Sequence, residues 1–184
     1  DNLFQLAEKH DFIAPHDEDA DSYINYGNQP CTYLAHLFNH AGAPWLTQKW
    51  VRRIMEAVKS DTTPYGGYGG DEDQGLMGSL NVLMAIGLFS VHGECDENPF
   101  LELSSPVFDR ITIHLDSEYH SGTAFTIETE NNGPGDRYIQ SAELNGKPLE
   151  TCWIYHSTLV KGGHLKLTLG TEPNKDWGCS QPLS

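Results

Sequence analysis

The spacing of apolar positions changes period near the middle of the chain, which divides the sequence into a helical part and a stranded part. After the breaker Gly42-Ala43-Pro44, residues Leu46, Trp50, Ile54 and Val58 recur at four-residue intervals, with Val51 and Met55 beside them. Residues four apart share a helix face, so this stretch predicts an amphipathic helix with a charged outer side. A shorter helix from about Pro30 to His40 is expected to bury Leu34, Leu37 and Phe38. A third is expected from about Asp73 to Phe89. Its Leu76, Met77, Leu80, Val82, Leu83, Met84, Ile86 and Phe89 are apolar almost all round, which predicts a helix enclosed by protein on every side.

The polar run His92 to Pro99 marks a boundary. Beyond it the period becomes two, in Ile111, Ile113 and Leu115, then Phe125 and Ile127, then Leu165, Leu167 and Leu169. Such alternation predicts half-buried antiparallel strands. Turn residues separate them at Asn131 to Gly135, Asn145-Gly146 and Gly162-Gly163. The expected class is α+β, with residues 1–98 helical and residues 99–184 an antiparallel β-sandwich. Two or three helices cannot close a core around a helix that is apolar on all faces. The helical part therefore reads as one segment of a larger helical array, completed by further sequence or by other chains.

Composition sharpens this picture. The 184 residues are 38% hydrophobic with 18 Gly, the profile of a globular protein of one large or two small domains. Against 26 Asp and Glu stand only 11 Lys and Arg, a net charge of -15. A nucleic-acid backbone would repel such a surface, so no nucleic-acid partner is expected. The longest apolar run, Leu80 to Phe89, is interrupted by Asn81 and Gly87. It falls short of the roughly 20 residues a membrane span needs, so none is expected. Asp1 to Gln5 has neither a basic nor an apolar signal region, so any secretion signal is expected upstream or already removed. Cys31, Cys95, Cys152 and Cys179 form no C-x-x-C pair, which removes the zinc and redox motifs and leaves both free thiols and disulfide pairings open.

The stretch from Tyr65 to Gly75 carries the most chemistry. A Gly-rich loop ends in Asp71, Glu72 and Asp73 where the third helix is expected to begin. Acidic groups at a helix start are favoured by its dipole and can cap free N–H groups, each for about 0.3 to 1 kcal/mol. The same residues suit water activation. Carboxylates two apart in an extended segment point the same way, and no Lys or Arg lies nearby to quench them. Both readings stand at this level. Calcium-loop spacing fails here, since the twelfth residue from Asp71 is Val82. It fails again at Asp17-Glu18-Asp19-Ala20-Asp21, where the sixth residue is Ser22 and the twelfth Asn28; a solvated acidic turn is expected there.

In Tyr26-Gly27-Asn28-Gln29-Pro30, Asn28 is placed as a helix N-cap with Pro30 in the first turn. The side-chain carbonyls of Asn28 and Gln29 are also hard oxygens of the kind Ca²⁺ accepts at about 2.3 to 2.6 Å. The nine histidines show no H-E-x-x-H spacing, and no G-x-S-x-G elbow is present. Gly66 to Gly70 lacks the Lys-Ser/Thr end of a phosphate loop and runs into acids.

Several motifs then follow one another in a fixed order. They are Gly27-Asn28-Gln29-Pro30, Tyr33 to Asn39, Gly42-Ala43-Pro44-Trp45 through Gln48, Val51 and Arg52, and Gly70-Asp71-Glu72-Asp73-Gln74-Gly75 with Met77. Pro106, Phe108-Asp109, Tyr138 to Ser141, Leu144 to Leu149, Trp153-Ile154, His156, Gly162-Gly163, Pro173-Asn174 and Trp177-Gly178 continue the set. This series resembles glycoside hydrolase family 92, the calcium-dependent inverting exo-α-mannosidases, across nearly the whole chain. The resemblance implies a C-terminal portion of a longer protein: part of an (α/α) toroid in residues 1–98 and a C-terminal β-sandwich in residues 99–184. It maps Asp73 and Asp71 onto the carboxylates that activate water, with Asp73 the principal base. It places Gln29 and Glu72 at the sugar and Asn28 at the calcium. It implies calcium as cofactor, a mannose-containing glycan as substrate, the rest of the mannosidase chain as partner, and a secreted or periplasmic location. α-1,2-linked terminal mannose is the expected target.

The sequence also departs from the family pattern. Gln29 stands for the usual Glu, Cys31-Thr32-Tyr33 for a Ser-His-His-like run, and Gly78-Ser79-Leu80-Asn81 for Ser-Ala-Trp-Tyr. The family's general acid, a Glu in an E-G-N-x-W-Q-Y context, has no counterpart in this chain, so these residues alone are expected to be inactive. The rival expectation is a non-catalytic carbohydrate-binding or structural module, with Trp153, Tyr155 or Trp177 stacking on sugars.

Overall fold

The computed structural model describes residues 1–10, 12–13, 23–57, 63, 73–135 and 137–179. The amphipathic repeat after Gly42 forms α3 (Pro44–Ala57), which turns Thr47, Gln48, Trp50, Val51 and Ile54 inward; Val58 lies outside the described residues. Against it packs α1 (Asn2–His10) through Phe4 and Ala7. The Phe4 ring stacks on Trp50 at 5.2 Å between centroids.

The single helix expected over Pro30 to His40 is instead broken into 3-10 turns at Gln29–Cys31 and Leu34–His36 followed by a short α2 (Leu37–His40). Its inward residues are Ala35, His36 and Asn39, while Leu37 is 40% exposed. Polar anchors set this facing. The Tyr26 hydroxyl accepts from the Ala35 N–H at 2.9 Å, and Thr47 Oγ1 donates to the Ala35 carbonyl at 2.9 Å. A 3-10 turn advances three residues per turn rather than 3.6, so an apolar period counted for an α-helix points to the wrong face.

The third helix is α4 (Leu76–Ile86), preceded by a 3-10 turn at Asp73–Gly75. It ends at Gly87, whose φ of +77 places it in the left-handed region. A side chain there would meet Pro106 and the Ser104 carbonyl at under 3 Å, so glycine is required for both reasons. Leu88–Phe89 then form β1 rather than continuing the helix. Enclosure on every side does not hold within this chain. Met77, Leu80, Met84 and Ala85 are buried, whereas Val82 is 60% exposed.

β1 pairs with β2 (Phe100–Leu103), and β2 with β7 (Trp153–Tyr155), all antiparallel. A second sheet runs in the order β3-β4-β8-β5-β6, from β3 (Arg110–His114), β4 (Ala124–Glu130), β5 (Tyr138–Leu144), β6 (Lys147–Pro148) and β8 (Gly163–Gly170). Here the expectation of antiparallel strands throughout is corrected, because β4 and β8 pair in parallel. Chain direction is not encoded in the alternation of Phe125-Ile127 and Leu165-Leu167-Leu169. It follows from the long excursion through β5, β6, β7 and α5 (His156–Leu159), which returns the chain beside β4 without a hairpin. In β5 the register slips between Ile139 and Ser141, so Ile139 and Ala142 are both buried, as expected at a β-bulge.

Two buried clusters result. Leu88, Leu101, Leu103 and Ile154 from the smaller sheet share one with Phe125, Ile127, Ile139, Leu165, Leu167 and Leu169 from the larger. The other gathers Phe4, Ala7, Phe12, Ile24, Tyr26, Ala35, Trp50, Val51, Ile54, Met77, Leu80 and Met84. Arg52 spans the two parts by donating to the Pro106 carbonyl and to Asn132 Oδ1. All four cysteines are free thiols, and only Cys152 is fully buried. Among the described residues no helix is long and apolar enough to cross a membrane.

Candidate functional site

Asn28 and Gln29 sit on a turn held from below by a buried aromatic residue. Tyr26 is buried at the head of this turn and its backbone N–H bonds the Phe12 carbonyl at 2.6 Å. Burial holds its phenol protonated far above the ordinary tyrosine range. Asn25 Oδ1 accepts from the Gly27 N–H at 2.7 Å and closes the bend. Asn28 takes the extended conformation of an N-cap, with Pro30 in the first turn as expected, but its side chain makes no capping bond. That amide is half-buried and Gln29 is exposed. Their backbone carbonyls bond the N–H groups of Cys31 and Thr32 at 3.2 Å each. The side-chain oxygens of both residues are thus left outside the turn's own hydrogen bonding.

Asp73 opens the 3-10 turn that leads into α4. Gln74 has φ +58 and Gly75 φ +96, so two successive left-handed residues bend the chain sharply into the helix. A non-glycine residue in that region costs about 1 to 2 kcal/mol, and Gln74 is the first residue described after Asp73. Asp71 and Glu72 lie outside the described residues, as do the Gly-rich loop 64–70, the side chain of Asp73 and the acidic cluster 17–21. What the structure brings together is the two segments: Tyr26, two residues before Asn28, and Met77, four after Asp73, belong to one buried cluster.

The calcium expectation meets a suitable donor type in Asn28 and Gln29, since both offer neutral hard oxygens not used by the cap. Among the described residues no group of three His, Cys, Asp or Glu is arranged to hold a metal ion.

A cluster of buried polar groups was not foreseen. His36 is 1% exposed and Glu102 fully buried. His40 Nε2 donates to Glu102 Oε1 at 2.7 Å, and His36 Nδ1 stands 3.8 Å from Glu102 Oε2. Burial, with His40 nearby, pushes the His36 imidazole down to about 3. Burial raises the Glu102 carboxyl, against the lowering effect of the His40 hydrogen bond. The available signal was Glu102 itself, a carboxylate inside the apolar run Phe100-Leu101-Glu102-Leu103.

Of the aromatic residues considered for sugar stacking, Trp177 is buried and its indole N–H bonds the Leu149 carbonyl at 2.8 Å, so it is core. Trp153 is half-buried between Phe100 and Tyr155.

Residues 1–171 match the family model described as the glycosyl hydrolase family 92 catalytic domain. The chain belongs to this family. It is 34% identical over 181 residues to a protein of Arthroderma benhamiae described as an uncharacterized secreted glycosidase, covering 96% of this chain and 22% of that protein. Its fold is similar to the family GH92 inverting mannosidase of Bacteroides thetaiotaomicron, at 31% identity, a TM-score of 0.76, and coverage of 88% of this chain and 21% of that one. It is also similar to the GH92 α-mannosidase from the same organism solved with mannoimidazole, at 25% identity and a TM-score of 0.74, over 84% of this chain and 19% of that one. The chain thus spans about a fifth of the length of these relatives. The GH92 fold is mixed helix and sheet in this portion.

Proposed function

We propose that the chain is the C-terminal portion of an exo-α-mannosidase that removes terminal α-mannose, of the α-1,2-linked type, with inversion. The observation that carries the reading is the family match over residues 1–171, supported by the likeness to a Bacteroides thetaiotaomicron protein described as an inverting mannosidase. In this reading residues 1–98 are part of an (α/α) toroid and residues 99–184 a β-sandwich that buttresses it. The shared core of the two sheets supports the second half.

Asp73, with Asp71 beside it, takes the proton from the attacking water. Inversion requires a general acid about 6.5 to 9.5 Å across the sugar from that base, and it lies in the part of the protein beyond this chain. Gln29 and Glu72 bind the terminal mannose, and Asn28 contributes an oxygen to calcium. Bound there, calcium supplies charge that orients the sugar hydroxyls. The exposed apolar side chains of Leu76 and Val82 support a partner surface in the rest of the same protein. A secreted or periplasmic location fits the description of the Arthroderma benhamiae relative as a secreted glycosidase.

The test is mannose release from a panel of linkages by the full-length protein, with and without a chelator. Asp73→Asn, with the fold intact, is expected to lose about 10² to 10⁴ in rate, the range for removing a general base. Wild-type turnover by that variant overturns the base assignment.

A further inference from the structure

Where the segment Gln29–His40 crosses the β1–β2 pair, the chain buries a carboxylate at a place that apolar packing alone would fill. Glu102 continues the buried strand Phe100–Leu103, and its Oε2 has no hydrogen-bond partner. A buried ion of this kind costs several kcal/mol unless it is paired. Its Oε1 meets His40, 62 residues away in sequence, at 2.7 Å, and a backbone hydrogen bond from Val91 also bears on the carboxyl. Beside it, the ring of His36 stacks on Phe89 at 4.1 Å and 15°, with neither ring nitrogen hydrogen bonded. Phe89 and Glu102 are themselves partners across β1 and β2.

The two contacts join the far ends of two candidate-site segments. One segment begins at Asn28 and runs through successive 3-10 and α turns to His36 and His40. The other begins at Asp73 and runs through α4 into Phe89. Ala35 in the first segment and Met77, Leu80 and Met84 in the second also belong to one buried cluster, so the two segments pack directly on each other. Loss of the His40–Glu102 contact therefore loosens the packing between the segment that follows Asn28 and Gln29 and the helix that follows Asp73.

We propose that His40 and Glu102 are positioning residues, which fix the Asn28–Gln29 turn against the helix that follows Asp73. This rests on the reading of those three residues as the substrate and base positions. His36 and Phe89 form the packed surface on which the contact bears. His40 is partly open to solvent, at 28% side-chain exposure, so it can be altered without emptying the core.

Cys31, two residues beyond Gln29 and half-buried, reports the turn directly. Its labelling rate by a thiol reagent is followed by peptide mass spectrometry, which separates it from the exposed Cys95. His40→Ala is expected to speed labelling at Cys31 about tenfold, the effect of losing a hydrogen bond to a buried charged group, while Cys152 stays protected. His40→Gln, whose Nε2 occupies the place of the imidazole Nε2, is expected to restore the wild-type rate. In the full-length protein His40→Ala is expected to lower kcat for mannose release about tenfold or more, with rescue by His40→Gln. Unchanged labelling in His40→Ala overturns the proposal, and so does faster labelling with unchanged kcat. A wild-type protein that releases no mannose overturns the site reading itself, and Cys31 labelling then decides the contact on its own.

Discussion

Gln48, near the middle of α3, accepts a hydrogen bond on its Oε1 from the backbone N–H of Ile139 in β5 at 2.9 Å, 91 residues further along the chain. The bond sits at the bulge where β5 shifts register between Ile139 and Ser141. It is a buried bond that ties the helical part to the larger sheet, and Gln48 is 1% exposed.

Gln48→Leu should therefore leave a buried N–H without a partner. Such a group costs about 1 to 3 kcal/mol, and for a chain of this size each kcal/mol lowers the melting temperature by about 2 to 4 °C. A fall in that range is the expected outcome of thermal unfolding followed by circular dichroism. A variant that melts with the wild type would mean that water or another acceptor takes the Ile139 N–H.

The elements most visible in the sequence were those whose burial follows a simple period. In α3, Trp50 and Ile54 lie where four-residue spacing places them, and Leu165, Leu167 and Leu169 lie where alternation places them. The Asn145-Gly146 turn joins β5 to β6 as its residue types demand. Hidden were the features set by polar contacts and distant chain. The facing of residues 34–40 depends on Tyr26, Thr47 and Glu102, and the parallel pairing of β4 with β8 on the route of the chain between them. α1 was not anticipated, because its inward residues are only Phe4 and Ala7 while Leu3 and Leu6 face outward. Of the candidate site, Asn28 and Gln29 emerged on a turn with free side-chain oxygens, while the proposed roles of Asp73, Asp71 and Glu72 rest on family likeness.

Stability should respond to acid through His36. Its folded value of about 3 lies below the ordinary histidine value, so the unfolded chain binds a proton there that the folded chain refuses. The stability this confers is complete above about pH 6.5 and is lost as pH falls toward 3, by at most about 1.4 kcal/mol per pH unit. Glu102 acts in the opposite sense. Its raised value favours the folded state at low pH, and that share is lost as pH rises through the raised value. His40 faces both groups, and His92 and Cys152 face Glu102. His36→Phe keeps the stack on Phe89 and removes only the imidazole. Its melting temperature is expected to fall less between pH 6.5 and 4 than that of the wild type. Parallel curves would show that His36 takes no part in the acid response.

The last prediction concerns the faces that this chain leaves bare. Leu76 is 41% exposed and Val82 60% on α4, while Leu3, Leu6 and Leu37 are 40% exposed or more near the N-terminus. Leu3, Leu34, Leu37 and Phe38 line a depression of about 310 Å³ beside Phe4. If the rest of a longer GH92 protein covers α4, the double substitution Leu76→Lys, Val82→Lys has opposite effects in two settings. In the 184-residue chain it removes apolar surface from water and should reduce self-association in light scattering, with the melting temperature unchanged within a degree or two. In the full-length protein it puts two charges into an apolar contact, and each side chain forfeits about 1.5 to 3 kcal/mol of burial. The full-length variant is then expected to melt several degrees lower. Equal melting temperatures for the full-length variant and its parent would show that α4 faces solvent in both, and that its apolar side has some other purpose than joining the two parts of the protein.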